Sequence, residues 1–436
     1  NLSLVAGAGN IGFVGALSSG GNNLSLDTTG ALSFGGAVSG LGDIDILSAS
    51  NGLSGTTIGA RSLEGAVALT GAVNISGQQT YTDNLSLATS GTAGISVAGV
   101  STTNKGIVLT TAQGTLSVGA LNAPNGTNGD INLTHGGTLT FGGNVFAGKA
   151  LLVTTNNGAV IVVGTGSDIS MQALGGGISL SGPMSLVNNL SATAGAGAIN
   201  FGSTINSATG KNLSLSLTQS NPVTFGGALG QTGRLGDISI TGSPAGISAG
   251  LNNITAKSLV SAPSSGAINL SGVLDLNGAL GLDLATTGTT GTTGNITLGQ
   301  LTSSGGGVLL TNSQVLQLLG NVLSAGAITE SGAGSVVLGD VGAVSPTITL
   351  TTTTAGSGIS LAKSVTLNRD AVLTAAGSGT VTLGGTVNSD GSLSPRSLSL
   401  NSGTGLVSIN GDVGTVQLLS GVTVTCLLYT SPSPRD

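Results

Sequence analysis

Along almost the whole chain a three-residue unit recurs: apolar, small polar, apolar. Leu24-Ser25-Leu26, Ile44-Asp45-Ile46, Val73-Asn74-Ile75, Ile131-Asn132-Leu133, Ile178-Ser179-Leu180, Ile238-Ser239-Ile240, Ile296-Thr297-Leu298 and Val381-Thr382-Leu383 are examples. Side chains of a strand alternate between its faces, so each unit turns two aliphatic groups inward and one Ser, Thr, Asn or Asp outward. Gly, Asn and Ser punctuate the units, which predicts very short strands and constant turns. Helical spacing is sustained nowhere, and a glycine every few residues would cost a helix up to ~1 kcal/mol each.

Short strands with constant turns predict an all-β fold, a right-handed parallel β-helix (solenoid). Its coils would stack about 4.8 Å apart, with like side chains forming ladders and Gly and Asn supplying positive-φ corners. Longer self-similarity supports this. Asn1 to Phe13 (NLSLVAGAGNIGF) returns as Asn189 to Phe201 (NLSATAGAGAINF), Phe34-Gly-Gly-Ala returns at Phe225, and Gly42-Asp-Ile-Asp-Ile returns as Gly236-Asp-Ile-Ser-Ile. The two copies lie near residues 1–75 and 189–276, and the offset drifts by a few residues, as insertions in turns would cause. Phe13 to Phe34 and Leu4 to Leu26 set a coil of roughly 20 to 22 residues. About twenty coils would then form one rod over residues 1–425, on the order of 95 Å long.

Composition narrows the chemistry. Among 436 residues there are 78 Gly, 10 Lys and Arg, 16 Asp and Glu, one His, one Cys and no Trp. Charged residues are 6% of the chain, against about a quarter in ordinary domains. Ten cations do not make a nucleic-acid-binding face, and one Cys makes no disulfide framework. Apolar residues are 39%, enough for a core and unlike a disordered chain. No stretch of about 18 apolar residues suggests a membrane helix. A transmembrane barrel would want longer strands and aromatic girdles, and no membrane insertion of this segment is expected. Cys426 to Asp436 (CLLYTSPSPRD) look like translated sequencing-library adapter and are set apart as an artefact expected to be disordered. With that tail and an Asn at position 1, the chain reads as an internal fragment.

The run LSFGGAVSGLGDIDI (Leu32 to Ile46), GAVALTGAVNISGQQTYTDNLSL (Gly65 to Leu87) and the TFGGA block at Thr224 to Ala228 resemble repeats of the filamentous haemagglutinin and autotransporter-adhesin group. These are large exoproteins of Gram-negative bacteria. The resemblance implies a β-helical passenger segment, export to the cell surface or medium, and a structural or adhesive role in attachment or biofilm. Host or environmental surfaces and glycans would be its partners, with self-association through exposed end coils. The alternatives are a β-helix enzyme that degrades polysaccharide and, further off, an ice-binding protein.

No catalytic, cofactor-binding or metal-binding residue is assigned. His135 lacks a second His or usable Cys, with Asp130 the nearest acid, and reads as a surface turn residue. Asp43 and Asp45 share one face by alternation and read as solvated strand decoration; Asp237 recurs in the second copy but Ser239 replaces the second Asp. A rod would show no clustered polar constellation, whereas an enzyme would need acidic and basic side chains from adjacent coils converging in a groove. Gly175-Gly176-Gly177 lacks the tandem pattern of calcium-binding repeats, and Gly7-Ala8-Gly9-Asn10 lacks the lysine of a phosphate loop. The Asn-x-Ser/Thr triplets at Asn84, Asn132, Asn269 and Asn295 read as strand composition. Thr351 to Thr354 and Thr286 to Thr293 are too irregular in sequence for an ice-binding array, and Tyr81 alone makes no sugar-stacking platform.

Overall fold

The computed structural model describes residues 1–46, 52–55, 58–65, 69–217, 221–242, 244–340, 347–391 and 394–426. Among them are 48 β-strands and no helix. The chain divides into two compact units, Asn1–Gln219 and Ser220–Asp436. Each is a parallel β-solenoid, and the turns of both number about 18. In the first unit one ladder runs Leu24, Ile44, Leu63, Leu85, Ile107, Ile131, Leu151, Ile178, Ile199, each paired in parallel with the next. In the second an equivalent ladder runs Leu259, Leu282, Val308, Ile328, Ile359, Val381, Val407.

The apolar-polar-apolar units are the strands: Ile178–Leu180, Ile268–Leu270, Ile296–Leu298 and Val381–Leu383 each show buried ends around a less buried centre. Coil length varies more than the sequence spacing implies. Ile131 pairs with Leu151, 20 residues on, but Leu151 pairs with Ile178, 27 residues on. The extra residues lie in turns, which lowers the number of turns slightly below twenty. The repeat copies follow the same rule. Leu2–Gly7, Ile11–Phe13 and Leu17–Ser18 correspond to Leu190–Ala194, Ile199–Phe201 and Ile205–Asn206, so sequence matches fall on strands.

Asparagine plays a different part from the one its turn propensity suggests. Among the described residues the non-glycine with positive φ is Asn157, at 59°. Elsewhere an Asn or Asp placed just before a strand accepts the backbone N–H of the matching residue one coil on. Asn23 Oδ1 accepts from Asp43 N (3.1 Å), Asn189 Oδ1 from Asn212 N (2.9 Å), Asn253 Oδ1 from Val273 N (2.9 Å) and Asn321 Oδ1 from Thr349 N (2.9 Å). The recurrent Asn-Leu-Ser and Asn-Ile-Thr triplets are therefore one device: a rung that carries the ladder into the turn, an inward aliphatic group and an outward hydroxyl. Glycine serves close stacking as well as positive φ. A Cβ on Gly119 would overlap the carbonyl oxygen of Ala98 in the preceding coil.

His135 is not in a surface turn. It ends the strand Ile131–His135 with its side chain inward and is fully buried. The same inward position holds Thr89 and Thr111 in earlier coils and Thr155 in the next. Each of these threonines donates to a turn carbonyl, Thr111 Oγ1 to Gly114 O (2.8 Å) and Thr155 Oγ1 to Ala159 O (2.9 Å). His135 does likewise through Nδ1, 2.7 Å from Gly137 O. A carbonyl oxygen only accepts, so Nδ1 carries the proton, and Nε2 is buried without a partner. Tyr81 is also internal, its hydroxyl donating to Gln79 Oε1 (2.8 Å), and burial pushes its phenol pKa up. Glu330 occupies a rung between Leu310 and Leu361. Its carboxylate accepts Gly332 N and Ala362 N (2.8 Å each), and burial raises its pKa despite these bonds. Cys426 closes the strand Gly421–Cys426, while residues 427–436 of the adapter-like tail lie outside the described residues.

Burial lowers the His135 pKa below 6.5, so the unfolded chain binds a proton that the folded one refuses. The stability this lends is complete above 6.5 and is lost as pH falls toward the folded-state value. Denaturation midpoints should therefore drop between about pH 7.5 and about pH 5.5. His135→Thr, which installs the side chain of the neighbouring coils, should flatten that drop; an unchanged slope would contradict the buried neutral imidazole.

Candidate functional site: a polar groove on the first unit

The outward face of the strands Val38–Ile46, Ile58–Gly65, Leu85–Thr89, Ile107–Thr111 and Ile131–His135 carries side chains that are far apart in sequence and in register in space. One column runs Asp45, Glu64, Ser86, Val108, Asn132. Beside it lie Asp43, Ser62, Asn84, Gly106 and Asp130, with Arg61 inside the strand Ile58–Gly65 and Asp83 and Lys105 in the turns before the next two strands of this face. Two cavities follow this face. One of about 280 Å³ is lined by Asp43, Asp45, Arg61, Ser62, Glu64, Asp83, Asn84 and Lys105. The other, of about 370 Å³, is lined by Asn84, Lys105, Gly106, Val108, Asn128, Asp130 and Asn132. They share Asn84 and Lys105 and form one groove. Its dip lies at Gly106, which has no side chain in a column otherwise holding Asp, Ser and Asn; a Cβ there would overlap the Asp130 carbonyl oxygen.

Asp43 is fully engaged. It accepts Arg61 Nε (2.7 Å) and Nη2, Ser62 Oγ (2.7 Å) and Asn23 Nδ2 (3.2 Å). The Arg61 guanidinium is the main reason its pKa is held at about 2, with Ser62 and Asn23 adding to the effect against a desolvation cost. Asp45 is shifted the other way: partial burial raises its pKa, and the charges of Asp43 and Glu64 raise it further. Glu64 accepts Asn84 Nδ2 (2.8 Å) and Asp83 accepts Asn104 Nδ2 (3.2 Å). Asp130 is held by Lys149 Nζ (2.9 Å) and Ala150 N (3.2 Å). Among the described residues Asp45 and Lys105 have no ion pair.

The pair Asp43 and Asp45 does lie outward, as the alternation predicts, yet it is not mere decoration. The clustered polar constellation expected to be absent from a rod is present on this unit. Sequence reading missed Arg61, Glu64, Asp83 and Lys105; the available signal was a charged residue one or two positions from an apolar triplet in successive coils. The remaining candidates are not brought together. Thr352 points inward and donates to Ser357 O (2.7 Å), and Thr286 does the same to Gly294 O (2.7 Å), so neither threonine tract forms a flat outer array. Asn295 Oδ1 accepts Val315 N (3.1 Å), and Gly175 to Gly177 lie where a Cβ would crowd neighbouring backbone. Among the described residues no group of three or more His, Cys, Asp or Glu is placed to hold a metal ion, and no helix is long and apolar enough to cross a membrane.

The second repeat copy separates structural from dispensable polar groups. Aligning Ile44 with Ile238 and following the ladders places Asp237 and Ser258 at the positions of Asp43 and Ser62. Ser258 Oγ donates to Asp237 Oδ1 at 2.7 Å, the same rung as Ser62 to Asp43. The other positions differ. Asp45, Glu64, Asp83, Asn84, Lys105 and Asp130 correspond to Ser239, Val260, Leu280, Gly281, Gly306 and Ala327. The coil geometry persists without them.

No family model matches the chain, and neither the curated proteins nor the solved structures contain a match to it.

Because Arg61 depresses the Asp43 pKa, the stability linked to Asp43 is present above 3.8 and lost as pH falls toward about 2. In Arg61→Gln the Asp43 carboxyl should titrate closer to 3.8, read by carboxyl ¹³C shifts against pH. A titration that stays near 2 would assign the shift elsewhere.

Proposed function

We propose that the chain is a structural and adhesive segment of a large bacterial exoprotein, secreted or anchored at the surface of a Gram-negative cell. A parallel β-solenoid is compatible with such a role, and the repeat blocks resemble those of haemagglutinin-like adhesins. The observation that carries the reading is the near-uniform ladder itself. Coil after coil repeats the same aliphatic rungs, and four of the five ion pairs among the described residues tie coil to coil: Arg61 to Asp43, Lys149 to Asp130, Arg234 to Asp275 and Arg369 to Asp340. Such a body presents a surface and resists proteolysis without needing a reaction centre.

A second reading, a polysaccharide-degrading enzyme, draws on the convergence of carboxylates and cations in the groove. It is weaker because Asp43 is locked by four donors and held ionised, which suits neither a general acid nor a base. Purified protein incubated with polygalacturonate should release no new chain ends, and beads coated with it should be retained on polysaccharide surfaces. Cleavage that disappears in Asp43→Asn would favour the enzyme; loss of bead retention would remove the adhesive role.

Self-association through open strand edges belongs to the same proposal. Among the described residues the strands Leu2–Gly7 and Gly421–Cys426 are each paired on one side, and neither carries a charged residue or proline. Val422 and Val424 are exposed there. Sedimentation should show concentration-dependent oligomers that Val424→Lys suppresses; a monomer at all concentrations would exclude this route.

A further inference from the structure

We infer that the groove of the first unit binds an amino-sugar polymer bearing both free ammonium and acetamido groups; this rests on the adhesive reading and names its partner. The first support is the internal comparison. The second copy folds into the same coils with Ser239 and Val260 where the groove has Asp45 and Glu64, and the coils that follow it hold Gly281 and Gly306 at the ladder positions of Asn84 and Lys105. The polar groups are thus not needed for stacking, and burying part of a carboxylate such as Asp45 without a counter-ion is unfavourable for folding. They are retained on this face for something other than the fold.

The second support is shape. From the Asp45 rung to the Asn132 rung the groove crosses four coil steps, about 19 Å, room for several sugar rings. The dip at Gly106 lies beside Val108, which is 38% exposed, within the cavity of about 370 Å³ that runs from Asn84 to Asn132. With no aromatic in the lining, sugar stacking is unavailable, and affinity has to come from charge and hydrogen bonding.

The third support is charge. Five carboxylates and two cations line the groove, and one of the cations is already bound to Asp43. A polyanion such as a uronate chain is repelled, whereas an ammonium is drawn to Asp45, Glu64 and Asp83. The opposite end is different in kind. Asn84, Asn128 and Asn132 offer amide donors and acceptors beside an exposed valine, which suits an acetamido group with its carbonyl, N–H and methyl. A glucosamine polymer carries both features as pendant groups on one chain, whereas a basic peptide has its amides in the backbone and lacks the acetyl methyl.

The test is calorimetric titration with glucosamine hexamers of zero, half and full acetylation, polygalacturonate and hexalysine. The half-acetylated hexamer should bind tightest, and polygalacturonate should not bind. The double change Asp45→Ser, Glu64→Val installs the second copy's own residues, so the solenoid is retained, and it should weaken binding by about tenfold or more, as expected for lost charge-assisted bonds. Val108→Lys should also weaken it, while Leu309→Lys, at the corresponding ladder position of the second unit, should leave it unchanged. The inference is overturned if no hexamer binds, if the groove variants bind as the parent does, or if hexalysine binds as tightly as the best hexamer. Bead retention that survives Asp45→Ser, Glu64→Val with no hexamer binding by the parent would sink the groove assignment and leave the adhesive role standing.

Discussion

Everything in this molecule depends on parallel backbone pairing between successive coils in strict register. A strand three residues long has too few hydrogen bonds to stand alone, and it exists because the coils on either side supply its partners. Once register is imposed, each inward position faces the same position one coil away. Aliphatic side chains then stack on aliphatic side chains, and the core is a set of columns. The side-chain chemistry that looks monotonous in sequence is the chemistry that a column tolerates.

The same constraint explains the departures from aliphatic content. The ladder must continue past the end of each strand, where the backbone turns and donors would be orphaned. Asn and Asp oxygens take the exposed N–H groups there, and inward Thr, Ser and His groups take carbonyls of the turn. Glycines let adjacent turns approach so closely that a single Cβ, as on Gly119, would strike the neighbouring backbone. Glu330 shows the limit of the rule: a carboxyl sits in a leucine column because two turn N–H groups point at it, and burial still opposes its ionisation. As pH rises through its elevated pKa, ionisation withdraws stability, the reverse of the His135 case.

The strands and the fold class were readable because alternation over three residues is a local signal. Ile178–Leu180 and Val381–Leu383 announce themselves. What was not readable depends on register between coils. His135 follows a polar threonine and precedes two glycines, the local grammar of a turn, and only the column of Thr89, Thr111 and Thr155 reveals that its position is internal. The groove was hidden for the same reason. Coil lengths range from 19 residues between Ile44 and Leu63 to 31 between Ile328 and Ile359, so no fixed period connects Asp45 to Glu64 or Lys105. Acids and bases scattered along the sequence become neighbours only after each turn insertion is known.

Duplication within the chain turns that difficulty into an argument. A polar group in a solenoid has two possible reasons to exist, coil stacking or contact with something outside, and a single copy does not distinguish them. Asp43 with Ser62 and Asp237 with Ser258 repeat the same bond, so that rung belongs to stacking. Asp45, Glu64, Asn84 and Lys105 have no polar equivalent strong enough to replace them in the second copy, where Ser239, Val260, Gly281 and Gly306 stand. A hydrogen bond at the surface, such as Asn84 to Glu64, contributes only about 1 kcal/mol net, so its absence from the second unit is cheap for the fold. Retaining unpaired Asp45 and Lys105 in the other is not explained by folding at all. Where an outward polar group stands in one coil stack and its counterpart is small or apolar, as at Glu64 against Val260 and Asn84 against Gly281, coil stacking does not require it.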